Sequence, residues 1–60
     1  MIDFRSRVEY VGEQTEFLKG YKGIVTSRLA FTEEDDSYVE VTFIDDGATR
    51  LINVKNLKVI

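Results

Sequence analysis

Asp46-Gly47 lies between two runs of β-forming residues, and no other feature of the chain restricts its fold as tightly. On one side stand Tyr38-Val39-Glu40-Val41-Thr42-Phe43, and on the other Arg50-Leu51-Ile52-Asn53-Val54. Asp-Gly flanked by alternating apolar residues signals a hairpin, because the tight type I′ turn needs positive φ at both central positions. A two-residue loop sets Val41 opposite Ile52, Val39 opposite Val54 and Phe43 opposite Arg50. A three-residue loop with a bulge at Gly47 instead sets Val39 against Asn53 and Phe43 against Thr49. The first register puts apolar side chains opposite one another and is the one expected.

The rest of the chain reads as further short strands. Ile2, Phe4, Ser6, Val8 and Tyr10 alternate with Asp3, Arg5, Arg7 and Glu9, which predicts a first strand. Residues 12–22 are polar and bounded by Gly12 and Gly20, which predicts a long loop pinned by Phe17 or Leu18. Gly23 to Phe31 predicts a second strand, with Val25, Leu29 and Phe31 on one face and Ile24, Thr26, Arg28 and Ala30 on the other. Thr32-Glu33-Glu34-Asp35-Asp36-Ser37 predicts a solvated loop. Lys55-Asn56-Leu57 suits a single 3₁₀ turn that drops Leu57 into the core, with Val59 and Ile60 closing as a short strand.

Sixty residues suffice for one domain, residues 1–60, and leave no material for a deep catalytic cavity. The chain holds neither cysteine nor histidine. Disulfides, thiolate metal sites, imidazole acid–base chemistry and a Ser-His nucleophile are thereby excluded. Glu33-Glu34-Asp35-Asp36 lacks the alternating spacing and central glycine of a calcium loop. Asp45 and Asp46 are accounted for by the turn they flank. A non-enzyme without cofactor or metal is expected. The charged N-terminus has no signal-peptide apolar stretch, and no run is long enough to cross a bilayer, which points to a cytoplasmic protein.

Net charge is −3, divided unevenly. Residues 1–30 carry five Lys or Arg against four Asp or Glu, and residues 31–60 carry three against seven. This balance disfavours a non-specific nucleic-acid binder.

Two partial resemblances add to this reading. Val41-Thr42-Phe43-Ile44-Asp45-Asp46-Gly47-Ala48-Thr49, with Val54-Lys55-Asn56-Leu57-Lys58-Val59, resembles the second half of a Tudor domain. In that family an apolar strand ends in an aromatic-x-Asp-aromatic-Gly-Asn turn, followed by a strand and a leucine-containing 3₁₀ turn. Phe43, Asp45, Gly47 and Leu57 stand at matching positions, over roughly the last third of the chain. Tudor domains hold methylated arginine or lysine in an aromatic cage by cation–π attraction. The turn aromatic is here Asp46 and the turn asparagine Ala48, so the resemblance implies the barrel without its reading residues. Gly20-Tyr21-Lys22-Gly23-Ile24-Val25 is similar to the KOW motif, where a glycine and basic residues precede a strand that contacts RNA or protein.

Together these imply an all-β fold, a single SH3-like (Tudor/KOW-type) five-stranded barrel with a C-terminal 3₁₀ turn. The expected function is protein–protein interaction through an aromatic-lined loop or barrel face. The candidate contact residues are Phe17, Tyr10, Tyr21 and Tyr38, with Lys19, Lys22 and Arg28 as a basic strip joined by Arg5 or Arg7. The alternative is a KOW-type nucleic-acid or ribonucleoprotein-associated module using Lys19, Lys22, Arg28 and Tyr21.

Overall fold

The computed structural model describes residues 2–27, 31–34 and 36–60. Six antiparallel strands follow one another: β1 (Arg7–Tyr10), β2 (Lys22–Val25), β3 (Phe31–Glu33), β4 (Asp36–Phe43), β5 (Thr49–Asn53) and β6 (Leu57–Val59). Two 3₁₀ turns, Glu16–Leu18 and Val54–Asn56, interrupt the succession. Val41 and Thr42 pair with β2 on one edge of β4 and with β5 on the other, and Tyr38 pairs likewise with β3 and β5. Hence β2 and β3 lie end to end along one edge, and the sheet runs β6, β1, β2 with β3, β4, β5.

Period-two alternation sends one face of each strand inward. Val8 and Tyr10, Val25, Val39, Val41 and Phe43, Ile52 and Leu57 meet with Leu18 in one buried core. Ile2, Tyr21 and Val54 pack against its margin. Gly23 sits where β2 presses on β4; a Cβ there would lie 2.5 Å from the Thr42 carbonyl oxygen. No helix among the described residues is long and apolar enough to cross a membrane.

Four local expectations are corrected. The first strand begins at Arg7 and not at Ile2. Asp3 and Ser6 fold the chain back on itself: the Ser6 N–H donates to the Asp3 carbonyl (3.0 Å), and the Asp3 N–H to Ser6 Oγ (3.0 Å). Such side-chain bonds compete with a ladder, and here they win. Arg5 takes φ 72° in this turn, and Phe4 is turned out to solvent.

The second strand stops at Val25, and strand structure resumes at Phe31. The ladder ends because Glu40 N–H donates to Ser27 Oγ (3.0 Å), a side-chain oxygen standing where a strand carbonyl would accept. Leu29, Ala30 and the candidate Arg28 lie outside the described residues. The acidic run is mostly strand: Thr32 pairs with Ser37 and Glu33 with Asp36, and the chain reverses with Glu34 at φ 53°.

The central hairpin follows neither expected register. Val39 faces Ile52, Glu40 faces Leu51 and Val41 faces Arg50. Phe43 N–H donates to the Ala48 carbonyl (2.9 Å), so the loop is Ile44-Asp45-Asp46-Gly47 and only Gly47 takes positive φ, at 75°. Ile44 and Asp45 are drawn out of the ladder by β2: Ile44 N–H donates to the Lys22 carbonyl (2.9 Å), and Lys22 N–H to Asp45 Oδ1 (2.8 Å). The displacement from the expected pairing is two residues, an even number, so every side chain keeps its face and the core is unchanged. Val54 joins the second 3₁₀ turn instead of facing Val39, while Leu57 is buried as expected.

Candidate functional site

The chain between β1 and β2 is a loop with its ends tied together. Tyr10 N–H donates to the Tyr21 carbonyl (2.9 Å), and Gly20 N–H to the Tyr10 carbonyl (3.0 Å). At its far side the 3₁₀ turn Glu16–Leu18 places successive side chains about 120° apart. Leu18 goes into the core at 2% exposure, which forces its neighbour Phe17 outward to 61%. Of the two residues expected to pin this loop, Leu18 is the one that does so.

Phe17 does not hang free. Its ring meets Tyr21 edge to face, with centroids 6.2 Å apart and planes at 84°. Tyr21 meets the buried Phe43 in the same manner at 6.0 Å and 66°. The Arg50 guanidinium carbon stands 5.5 Å from the Phe17 centroid and 5.5 Å from that of Phe43. Asp46 holds the guanidinium in place from the hairpin loop, with Oδ2 accepting from Nη2 at 2.6 Å and Oδ1 from Nη1 at 3.3 Å. The same Oδ1 accepts the Ala48 N–H (3.0 Å), so one carboxylate both closes the turn and fixes the arginine. Each edge-to-face pair contributes about 0.5–1.5 kcal/mol beyond its burial, and an exposed cation–π contact about 0.5–1 kcal/mol.

This arrangement explains the observed register. Arg50 points to the core side of β5, opposite Val41, a position a polar residue normally avoids. The two rings and the Asp46 carboxylate satisfy it there. The result is a prearranged face: one exposed phenyl ring, the edge of a half-buried tyrosine, and a guanidinium fixed in orientation. It suits planar or aliphatic groups of a partner.

The pair also sets an acid limit on stability. Hydrogen bonding to the Arg50 guanidinium, then to Ala48 N–H, holds the Asp46 carboxyl below its ordinary value of 3.8, and Asp46 in turn raises Arg50. Lys55 Nζ lies 2.9 Å from Asp36 Oδ1 and, with Asn53, lowers Asp36 likewise. A carboxylate with a depressed folded-state pKa stabilises above the unfolded value and ceases to do so as pH falls through the folded one. Stability is therefore expected to decline below about pH 4, an ordinary carboxylate range. The effect is small because both pairs are exposed and screened by salt. Urea titrations at pH 7 and pH 2.5 check this: an Asp36→Asn, Asp46→Asn variant should lose less between the two than the parent.

The remaining candidates lie elsewhere. Tyr10 is a core residue at 2% exposure, with Tyr38 partly buried. The two line a shallow polar recess of about 130 Å³ together with Gln14, Thr15, Asn53 and Asn56. Lys19 is paired with Glu13 at 3.3 Å on the exposed loop. Lys22, at the start of β2, lines a different recess beside Arg7, Ile24, Ile44 and Ile60. Thus Phe17 and Tyr21 are brought together, Tyr10 and Tyr38 are brought together, and the two lysines join neither pair.

Phe43, Asp46 and Arg50 complete the aromatic face without having been candidates for it. A sequence signal existed: opposite charges four residues apart across a turn, next to an aromatic. Its weight depends on a loop length that the sequence does not reveal. Among the described residues no group of three or more carboxylates is placed to hold a metal ion. Compared with models of protein families, with curated proteins and with solved structures, the chain matches none.

Proposed function

We propose that this chain is a small non-catalytic binding module of SH3-like barrel type, related in plan to Tudor and KOW domains, which engages a protein partner through Phe17, Tyr21 and Arg50. The observation that carries the reading is Phe17, a large apolar ring 61% exposed yet held in one orientation by Tyr21 and Arg50. Exposure of such a ring is unfavourable in water, and fixing it in advance reduces the entropy lost on binding. Rigid aromatic and arginine anchors are what dominate protein interfaces. The strand order, the long tied loop and the 3₁₀ turn before β6 support the barrel assignment.

The ligand differs from that of a methyl-reading Tudor domain. The place of a ligand cation against the rings is filled by Arg50, held by Asp46. The chain's lack of cysteine suits a cytoplasmic setting.

Affinity capture with immobilised protein, parent against Phe17→Ala, tests the proposal. Phe17 lies outside the buried core, so the variant should stay folded and lose only about 1–2.5 kcal/mol from its two ring contacts. Loss of an interface anchor of about 2 kcal/mol weakens binding about thirtyfold. Partners retained equally by parent and variant would overturn the assignment of the face. Binding to RNA or DNA oligonucleotides that falls steeply with added salt would instead favour the nucleic-acid module.

A further inference from the structure

The sheet's outer surface carries a second recess, independent of the aromatic face. Its volume is about 310 Å³, and Arg7, Lys22, Ile24, Ile44 and Ile60 line it. Three strand ends build it. Arg7 pairs with Ile24 across β1 and β2. On the other edge of β1 the Ile60 N–H donates to the Arg7 carbonyl (3.0 Å). Arg7 is thus flanked by two isoleucines along one cross-strand row, while Ile44 is tied over the start of β2 by its bond to the Lys22 carbonyl.

Two features of this recess serve no purpose in the fold. Ile44 is 72% exposed and occupies a tight loop, where Asp, Asn, Gly or Ser is the residue that turn chemistry favours. Ile60 is 51% and Ile24 39% exposed beside it, so the apolar side chains form a patch instead of standing singly. Secondly, the Arg7 and Lys22 side chains form no ion pair among the described residues, whereas Lys19, Arg50 and Lys55 each have a carboxylate within 3.3 Å. Lys58 extends the basic row from β6; Glu9, between Lys58 and Lys22, and Asp45, whose Oδ1 accepts the Lys22 backbone N–H at 2.8 Å, are the carboxylates beside it. Three cations (Arg7, Lys22 and Lys58) thus stand against two carboxylates (Glu9 and Asp45) around an aliphatic recess, a local positive excess in a chain of net charge −3.

We propose that this recess takes a short extended segment of a partner protein in which an aliphatic side chain is flanked by carboxylates. The aliphatic group enters between Ile24, Ile44 and Ile60, and the carboxylates meet Arg7 and Lys22. The volume is at the low end for ligand recesses, which fits a few side chains of one segment. Bases find no aromatic surface among these isoleucines on which to stack, which sets nucleic acid aside.

The test is a titration of isotope-labelled protein, followed by amide chemical shifts, with the peptide Glu-Ile-Glu-Ile-Glu capped at both ends and with its lysine counterpart Lys-Ile-Lys-Ile-Lys. The acidic peptide should move the amides of Arg7, Lys22, Ile24, Ile44 and Ile60. Its affinity should fall at least tenfold in Ile44→Asp and in an Arg7→Gln, Lys22→Gln variant, and should weaken with salt. Phe17→Ala should bind it unchanged, which separates this surface from the aromatic face. No shifts at millimolar peptide, or equal response to the lysine peptide, would overturn the proposal. So would displacement of these same amides by an RNA oligonucleotide alone, or concentration-dependent self-association abolished by Ile44→Asp.

Discussion

Phe43→Ala is expected to remove about 3–5 kcal/mol of stability, the usual cost of truncating a buried phenylalanine. A chain of this size holds only about 3–9 kcal/mol in total. Phe43 is fully buried, and it supports more than the core. The Tyr21 ring rests on it edge to face, and Arg50 lies over it. Urea unfolding followed by circular dichroism should show the midpoint falling by about a third or more. Phe17→Ala, one ring further out, should lower it by less, losing only about 1–2.5 kcal/mol of ring contacts. The contrast matters for the functional argument, because it divides the aromatic column into a buried foundation and an exposed contact. A loss under 1 kcal/mol for Phe43→Ala would mean that the ring is not where the core closes.

Gly23→Val is expected to be the next most damaging change, and for a different reason. Its Cβ would lie 2.5 Å from the Thr42 carbonyl oxygen, 2.9 Å from Val41 Cγ1 and 3.0 Å from Phe43 Cα. Two of these are backbone atoms of the paired strand, which cannot yield without parting β2 from β4. Overpacking a core costs about 1–3 kcal/mol, and a branched side chain against backbone belongs at the upper end. At about 4–8 °C per kcal/mol for so small a domain, the melting temperature should drop by about 12–24 °C. Gly47 provides the comparison. Its Cβ would meet nothing within 4 Å, and the restriction there is φ 75°. Gly47→Ala should therefore cost about 1–2 kcal/mol, the penalty of left-handed backbone for an L-residue. Thermal melts of the two variants distinguish steric from conformational need. Equal losses would contradict the close approach at Gly23.

What could be read in the sequence follows from what alternation encodes. Which side chains face inward was legible for Val8, Val39, Val41, Phe43 and Ile52, because period two is local and survives an even shift of register, whereas Tyr10, expected as a contact residue, is buried. The register itself was not legible. It depends on Lys22 capturing Ile44 and Asp45 from more than twenty residues away in sequence, a tertiary choice that no turn propensity contains. The strand break after Val25 was hidden for a similar reason, since a serine hydroxyl substitutes for a backbone acceptor only where two strands already lie side by side. The acidic run was read from composition, which describes solvation, whereas its pairing depends on β4 continuing outward to Asp36.

The same distinction governs the sites. Phe17 and Tyr21 drew attention as aromatics in a polar, glycine-bounded loop, and that is a local signal. Their partners Phe43, Asp46 and Arg50 come from a hairpin whose loop length was hidden. The outer recess escaped notice because its isoleucines come from three distant segments that only the strand pairing brings together.

The account depends on one arrangement: a four-residue loop that carries Asp46 and Arg50 onto the column of Phe43, Tyr21 and Phe17. A nuclear Overhauser spectrum of the labelled protein in solution tests it most directly. The account predicts an Hα–Hα contact between Glu40 and Leu51, with ring-proton contacts from Phe17 to Tyr21 and from Arg50 Hδ to Phe17. A contact from Glu40 to Asn53 in its place, with Phe17 showing no neighbour beyond its own loop, would contradict it.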